Sequence, residues 1–239
     1  MTVAFEVVDD PAGACAAMMV SAAIGGGQIV LAGGSTPKAA YEGFVATVKA
    51  IGLSLSRTTF WIGDERCVGP DDDGSNYKMI KHSLLDPLAE HEPVVHRIKG
   101  ELGPEDAADD YEQELRRAGP PEFDLVLLGI GPDGHTASLF PGQESLSERK
   151  RLAIGVPEAG LEPFVPRVTL TLPALANSRQ IVLLAEGSSK ADAVARAFGP
   201  GSEPDPEVPA SLLAPGARLL TVLLDRDAAA GLQLGAENR

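Results

Sequence analysis

The chain has 239 residues, 44% of them hydrophobic and 23% charged, the balance of a folded globular protein rather than of a disordered one. A formal net charge of −14 leaves no counter-charge for a phosphate backbone, so neither nucleic acid nor an anionic membrane is an expected partner. No apolar run approaches the roughly 20 residues of a membrane helix. Met1 to Pro11 is acidic, unlike a secretion signal, and Cys15 and Cys67 lie in unrelated contexts. A soluble, cytoplasmic, metal-free protein is the expectation.

Val3–Val8 reads as a strand and Ala12–Ile24 as a helix. Gln28–Leu31 is a strand ending in Gly33-Gly34-Ser35-Thr36-Pro37, and Lys38–Ala50 is helical. Thr58–Ile62 is a strand with Asp64-Glu65-Arg66 at its end, followed by a helix over Ser75–Leu85 and a strand over Val94–Ile98. Pro104–Arg117 reads as an exposed acidic helix in which Glu112 and Arg116 pair at i,i+4. Phe123–Leu128 is a continuous apolar run, as in a strand buried on both faces. Arg167–Leu172 alternates, Gln180–Leu184 is apolar, and Lys190–Phe198 is helical. Gly199–Pro209 is a surface loop, too short to divide domains, and Arg218–Leu224 is a buried strand before a C-terminal helix. The alternation predicts one α/β domain over residues 1–239, with an open, largely parallel sheet and helices on both faces. Ligands of such sheets bind beyond the carboxyl ends of the strands. Residues 33–37, 64–66 and 129–135 all fall there.

Gly33-Gly34-Ser35-Thr36 joins a strand to a helix, where free N–H groups and two hydroxyls can hold an anion. Ser35 or Thr36 could equally cap the helix, with Pro37 in its first turn. Asp64-Glu65-Arg66 is in isolation a solvated strand end. Gly129-Ile130-Gly131-Pro132-Asp133-Gly134-His135 contains a literal Gly-x-Gly-x-x-Gly. Asp133 would occupy the place of a pyrophosphate, and Pro141-Gly142 cuts the following helix short, so a dinucleotide is not expected. Turn-forming residues before His135 argue instead for a backbone bent to present an imidazole. A histidine satisfied in the core is the competing reading. His82, His91 and His96 read as surface residues, and Arg167 and Lys190 as cations that could meet an anion.

Together these segments resemble the 6-phosphogluconolactonase family. The resemblance rests on Ala32 to Pro37, Trp61 to Arg66, Ser75-Asn76-Tyr77, Gly129 to Gly142, Arg167 to Thr171 and Gly187 to Lys190. It implies a three-layer α/β fold shared with glucosamine-6-phosphate deaminases and ribose-5-phosphate isomerases. It implies hydrolysis of a phosphorylated sugar lactone without metal or other cofactor; a monomer is the separate expectation for the assembly. His135 would activate water and then protonate the leaving ring oxygen. Asp64 and Arg66 would line the reacting end, with Asn76 on the sugar. Gly33, Gly34, Ser35, Thr36, Arg167 and Lys190 would hold the phosphate. The loop Val68 to Gly74 is poorer in proline than is usual in the family. The nearest alternative is a glucosamine-6-phosphate deaminase, but such enzymes carry an acid where this chain has Leu139-Phe140-Pro141. The other is a non-catalytic sugar-phosphate sensor, for which no basic DNA-binding segment is present.

Overall fold

The structure, a computed structural model, describes residues 2–119 and 122–232. Its first half runs β1 (Thr2–Val7), α1 (Pro11–Ala23), β2 (Gln28–Leu31), α2 (Ser35–Ile51), β3 (Thr59–Ile62), β4 (Asp64–Arg66), α3 (Asn76–Ile80) and β5 (Val94–His96). The second half runs α4 (Pro104–Arg117), β6 (Phe123–Leu128), β7 (Ala153–Val156), β8 (Arg167–Leu170), α5 (Leu172–Ala176), β9 (Ser178–Ala185), α6 (Ala191–Phe198) and β10 (Leu219–Leu224). Local chemistry sets several boundaries. The Asp10 carboxylate accepts the Gly13 N–H at 2.9 Å and Pro11 takes the first turn, which starts α1. Gly52, at φ 64°, supplies the left-handed cap that ends α2.

A seven-stranded sheet has the order β1-β10-β9-β6-β2-β3-β5, and each neighbouring pair is parallel. Alternation along β3 shows the layering. Phe60 meets Phe44 of α2 edge-on at 6.2 Å, whereas Trp61 meets Tyr111 of α4 at 6.1 Å. Consecutive strand residues point to opposite faces, so α2 and α4 cover opposite sides of the sheet. α1 packs along α2. The result is a three-layer α/β fold with a mostly parallel sheet, as expected.

Several elements depart from the sequence reading. A second, antiparallel sheet runs β4-β8-β7. Asp64-Glu65-Arg66 is one of its strands rather than the end of β3, and Ala153–Val156 is a strand that the sequence does not announce. β8 does not alternate: Arg167, Val168, Thr169 and Leu170 are all buried, because the strand lies between β4 and β7 against α4. α4 is acidic but not exposed throughout. Ala108, Tyr111, Glu112 and Leu115 are buried at helical spacing. Glu112 is held there by the N–H groups of Leu152 and Ala153, at 2.7 and 2.9 Å, and by Arg116. No helix follows His135; residues 136–142 are a succession of turns and bridges. Residues 225–232 are mostly turns where a C-terminal helix was expected, and 233–239 lie outside the described residues.

In chain order, β2, β3 and β5 step outward on one side while β6, β9 and β10 step outward on the other. The winding therefore reverses between β2 and β6. Loops leaving their carboxyl ends diverge, and a crevice opens between them.

Candidate active site

A cleft of about 320 Å³ occupies that crevice. Its walls include all ten expected site residues: Gly33, Gly34, Ser35, Thr36, Asp64, Arg66, Asn76, His135, Arg167 and Lys190.

The first wall is the turn from β2 to α2. Where the chain leaves the sheet, the Tyr41 hydroxyl accepts the Ala32 N–H at 2.9 Å and donates to the Ala32 carbonyl at 2.7 Å. A Cβ on Gly33 would run into the Asn76 carboxamide, and Gly34 sits at φ 111°, so both positions require glycine. Helix α2 starts at Ser35, capped by Gly34 with no side-chain hydrogen bond. The capping role open to Ser35 and Thr36 is therefore not used. The leading N–H groups of a 17-residue helix have no intrahelical acceptor and stand with two hydroxyls at the cleft wall.

The second wall comes from β4 and β8. Asp64 and Arg66 line the cleft, while Glu65 between them serves the start of α3. Glu65 accepts the N–H groups of Arg66, Asn76 and Tyr77, each at 2.7 Å, and the Ser75 hydroxyl at 3.0 Å. Burial raises its pKa, and these four bonds oppose the rise. Glu65 thus seats Asn76, whose amide donates to the Asp64 carbonyl at 2.9 Å and approaches Asp64 Oδ1 at 3.3 Å. The proline-poor loop folds back on the site: Arg66 Nη1 donates to the Gly74 carbonyl at 2.6 Å. Arg66 Nε is buried with no partner among the described residues.

Arg167 lies directly across the strand pair from Arg66 and is only 4% exposed. Its Nε and Nη2 donate to the carbonyls of Val165 and Pro163 at 3.1 and 2.9 Å. Burial first, and Arg66 second, lower its pKa. Two guanidiniums bonded to main-chain carbonyls rather than to carboxylates retain attraction for an anion. Lys190 closes the short turn between β9 and α6. Burial lowers its pKa too, with Asp133 acting in the opposite direction.

The third wall carries the histidine. The Gly131 N–H donates to the His135 carbonyl at 2.8 Å and the Gly134 N–H to the Gly131 carbonyl at 3.0 Å, a loop made possible by Gly134 at φ 94°. The imidazole lies so close to Gly131 that a Cβ there would strike the ring. Asp133 Oδ1 stands 2.6 Å from His135 Nδ1 and also accepts the His135 N–H at 3.1 Å. With Nδ1 so engaged, Nε2 is the nitrogen available for proton transfer. Phe140 flanks the ring at 4.9 Å. Asp133 is a site residue that the sequence does not announce. The available signal was a carboxylate two residues before a histidine with only glycine between them. The site has the parts of an acid/base center beside an anion cradle. Among the described residues no cluster of three or more His, Cys, Asp or Glu could hold a metal ion, and no helix is long and apolar enough to cross a membrane.

Comparison with known proteins identifies the family and the fold. The family model for glucosamine-6-phosphate isomerases/6-phosphogluconolactonase matches residues 6–222. The 6-phosphogluconolactonase of Synechocystis is 35% identical over 238 residues, covering 95% of each chain. That of Mycobacterium tuberculosis is 41% identical over 221 residues, covering 88% of this chain and 87% of its own. The crystal structure of 6-phosphogluconolactonase from Leishmania guyanensis matches with a TM-score of 0.84 at 28% identity, covering 98% of this chain and all of its own.

Proposed function

The chain belongs to the glucosamine-6-phosphate isomerase/6-phosphogluconolactonase family, and from that premise we propose that it hydrolyses 6-phospho-D-glucono-1,5-lactone to 6-phosphogluconate in the oxidative pentose phosphate pathway. The observation that carries this reading is a histidine oriented by Asp133 in the same cleft as Arg167, Lys190 and the start of α2. His135 Nε2 takes a proton from water as the water oxygen attacks the lactone carbonyl carbon. Arg66, with Asp64 orienting the sugar, steadies the charge that develops on the carbonyl oxygen. As the tetrahedral intermediate collapses, the bond from carbon to ring oxygen breaks. His135 returns its proton to that oxygen, which becomes the 5-hydroxyl of the product.

Gly33, Gly34, Ser35 and Thr36 hold the phosphate with Arg167 and Lys190, and Asn76 contacts the sugar. The protein acts as a single-domain cytoplasmic monomer, without a metal or nucleic-acid partner. Against deamination of glucosamine 6-phosphate stands the stretch after Ser138, where Leu139 and Phe140 are buried and offer no carboxylate. Parallel assays test the choice. Rapid opening of the phosphorylated lactone with no ammonia from glucosamine 6-phosphate is expected; the reverse pattern would move the assignment to the deaminase.

A further inference from the structure

Between His135 and Phe140 the chain makes a costly turn that the proton transfer does not explain. Ala137 has φ 49°, a left-handed conformation that a residue with a Cβ adopts at a cost. The next residue, Ser138, is fully buried, and its hydroxyl donates to Asp64 Oδ2 at 2.6 Å. Its N–H is 3.3 Å from the hydroxyl of Thr169, the residue paired with Asp64 across β4 and β8. Ser138 thus joins two parts of the site that are 74 positions apart in sequence. One is the loop that carries His135; the other is the second sheet, which carries Asp64, Arg66 and Arg167. With Oδ2 taken by a short bond, Oδ1 has, among the described residues, only the longer 3.3 Å approach from Asn76 and retains capacity for another donor.

We infer that Ser138 is a positioning residue: its hydroxyl fixes the Asp64 carboxylate so that Oδ1 accepts a hydroxyl of the bound sugar, in register with His135 on the same loop. The inference rests on the proposed lactone hydrolysis and on Asp64 orienting the sugar. Ala137 is held in its left-handed turn because that turn brings the Ser138 side chain inward. A buried, charge-assisted hydrogen bond of this kind can hold a reacting group to the geometry that an effective attack requires.

A double-mutant cycle tests it, with wild-type lactone turnover as the reference. Ser138→Ala should lower kcat roughly 10- to 100-fold, the worth of one hydrogen bond to a charged acceptor. KM and the affinity for 6-phosphogluconate should stay within about threefold, since the phosphate cradle is intact. In an Asp64→Asn background the same substitution should cost less than about threefold, because the bond it removes has lost its charged acceptor. Thr and Val have nearly the same shape, so Ser138→Thr should exceed Ser138→Val in kcat by the same roughly 10- to 100-fold factor, whatever packing penalty they share. Wild-type kcat in Ser138→Ala, or an undiminished Ser138 effect in Asp64→Asn, would overturn the inference. So would loss of fold in both hydroxyl-free variants while the Thr variant stays folded, since Ser138 would then be structural. Full turnover by Asp64→Asn alone would instead strike the reading of Asp64 on which the inference rests.

Discussion

At 2.6 Å from His135 Nδ1, the Asp133 carboxylate sets both the orientation and the tautomer of the ring. Asp133→Asn keeps the size of the side chain but allows the wrong tautomer, so kcat should fall by about 10²–10⁴-fold with KM nearly unchanged. Steady-state kinetics on the lactone check this; a fall confined to KM would contradict it. Lys190 gives a pH prediction. Burial lowers its pKa, so its positive charge is lost at a lower pH than that of a solvent lysine. As pH rises through that lowered value, a phosphate dianion loses a partner and KM should climb, while Lys190→Arg, charged throughout, should flatten the climb. Measuring KM across the alkaline range would show it, and an identical rise in the arginine variant would exclude Lys190 as the cause. His135 was legible in the sequence because turn-forming residues crowd in front of it. Asp133 was not, because a carboxylate between proline and glycine also reads as turn chemistry.

Two buried tyrosines serve the strand ends that carry the site. Tyr41 completes the backbone of Ala32 just after β2, and Tyr111 does the same for Ile62, the last residue of β3, accepting its N–H at 3.0 Å and donating to its carbonyl at 2.9 Å. Burial holds both phenols well above their usual pKa, so they stay protonated donors. Tyr41→Phe leaves an N–H and a carbonyl without their partner and should cost about 2–4 kcal/mol of stability, read by urea denaturation. A loss below about 0.5 kcal/mol would mean that water takes over both groups. The long apolar strands were legible because burial on both faces writes itself as an unbroken run, as in Phe123–Leu128. The second sheet was hidden for the opposite reason. β4 is three charged residues, and its place is set by bonds to Ser75, Asn76 and Tyr77 and by pairing with β8, none of which has a local signature. α4 likewise reads as acidic because only Tyr111 and Leu115 in its buried stripe are large apolar residues, beside Ala107, Ala108 and the acid Glu112.

Across the whole molecule, the strand–helix alternation readable in the sequence implies a parallel sheet, and that sheet puts the ligand at the carboxyl ends of its strands. The strand order itself was not readable, since it depends on which distant strands pair. It is this order that brings the turn after β2 beside the loop after β6 and makes two separate motifs one cleft. In a chain of net charge −14, an anionic substrate depends on the few cations and N–H groups gathered there. In the proposed reaction this cleft opens a phosphorylated lactone with His135 as the base. Turnover by His135→Ala, corrected for spontaneous lactone hydrolysis and measured beside its affinity for 6-phosphogluconate, tests the role of this histidine. The variant should fold and bind the product as wild type does, with kcat lower by about 10²–10⁴-fold. Retention of most wild-type turnover after that correction would make the histidine structural and exclude it as the base.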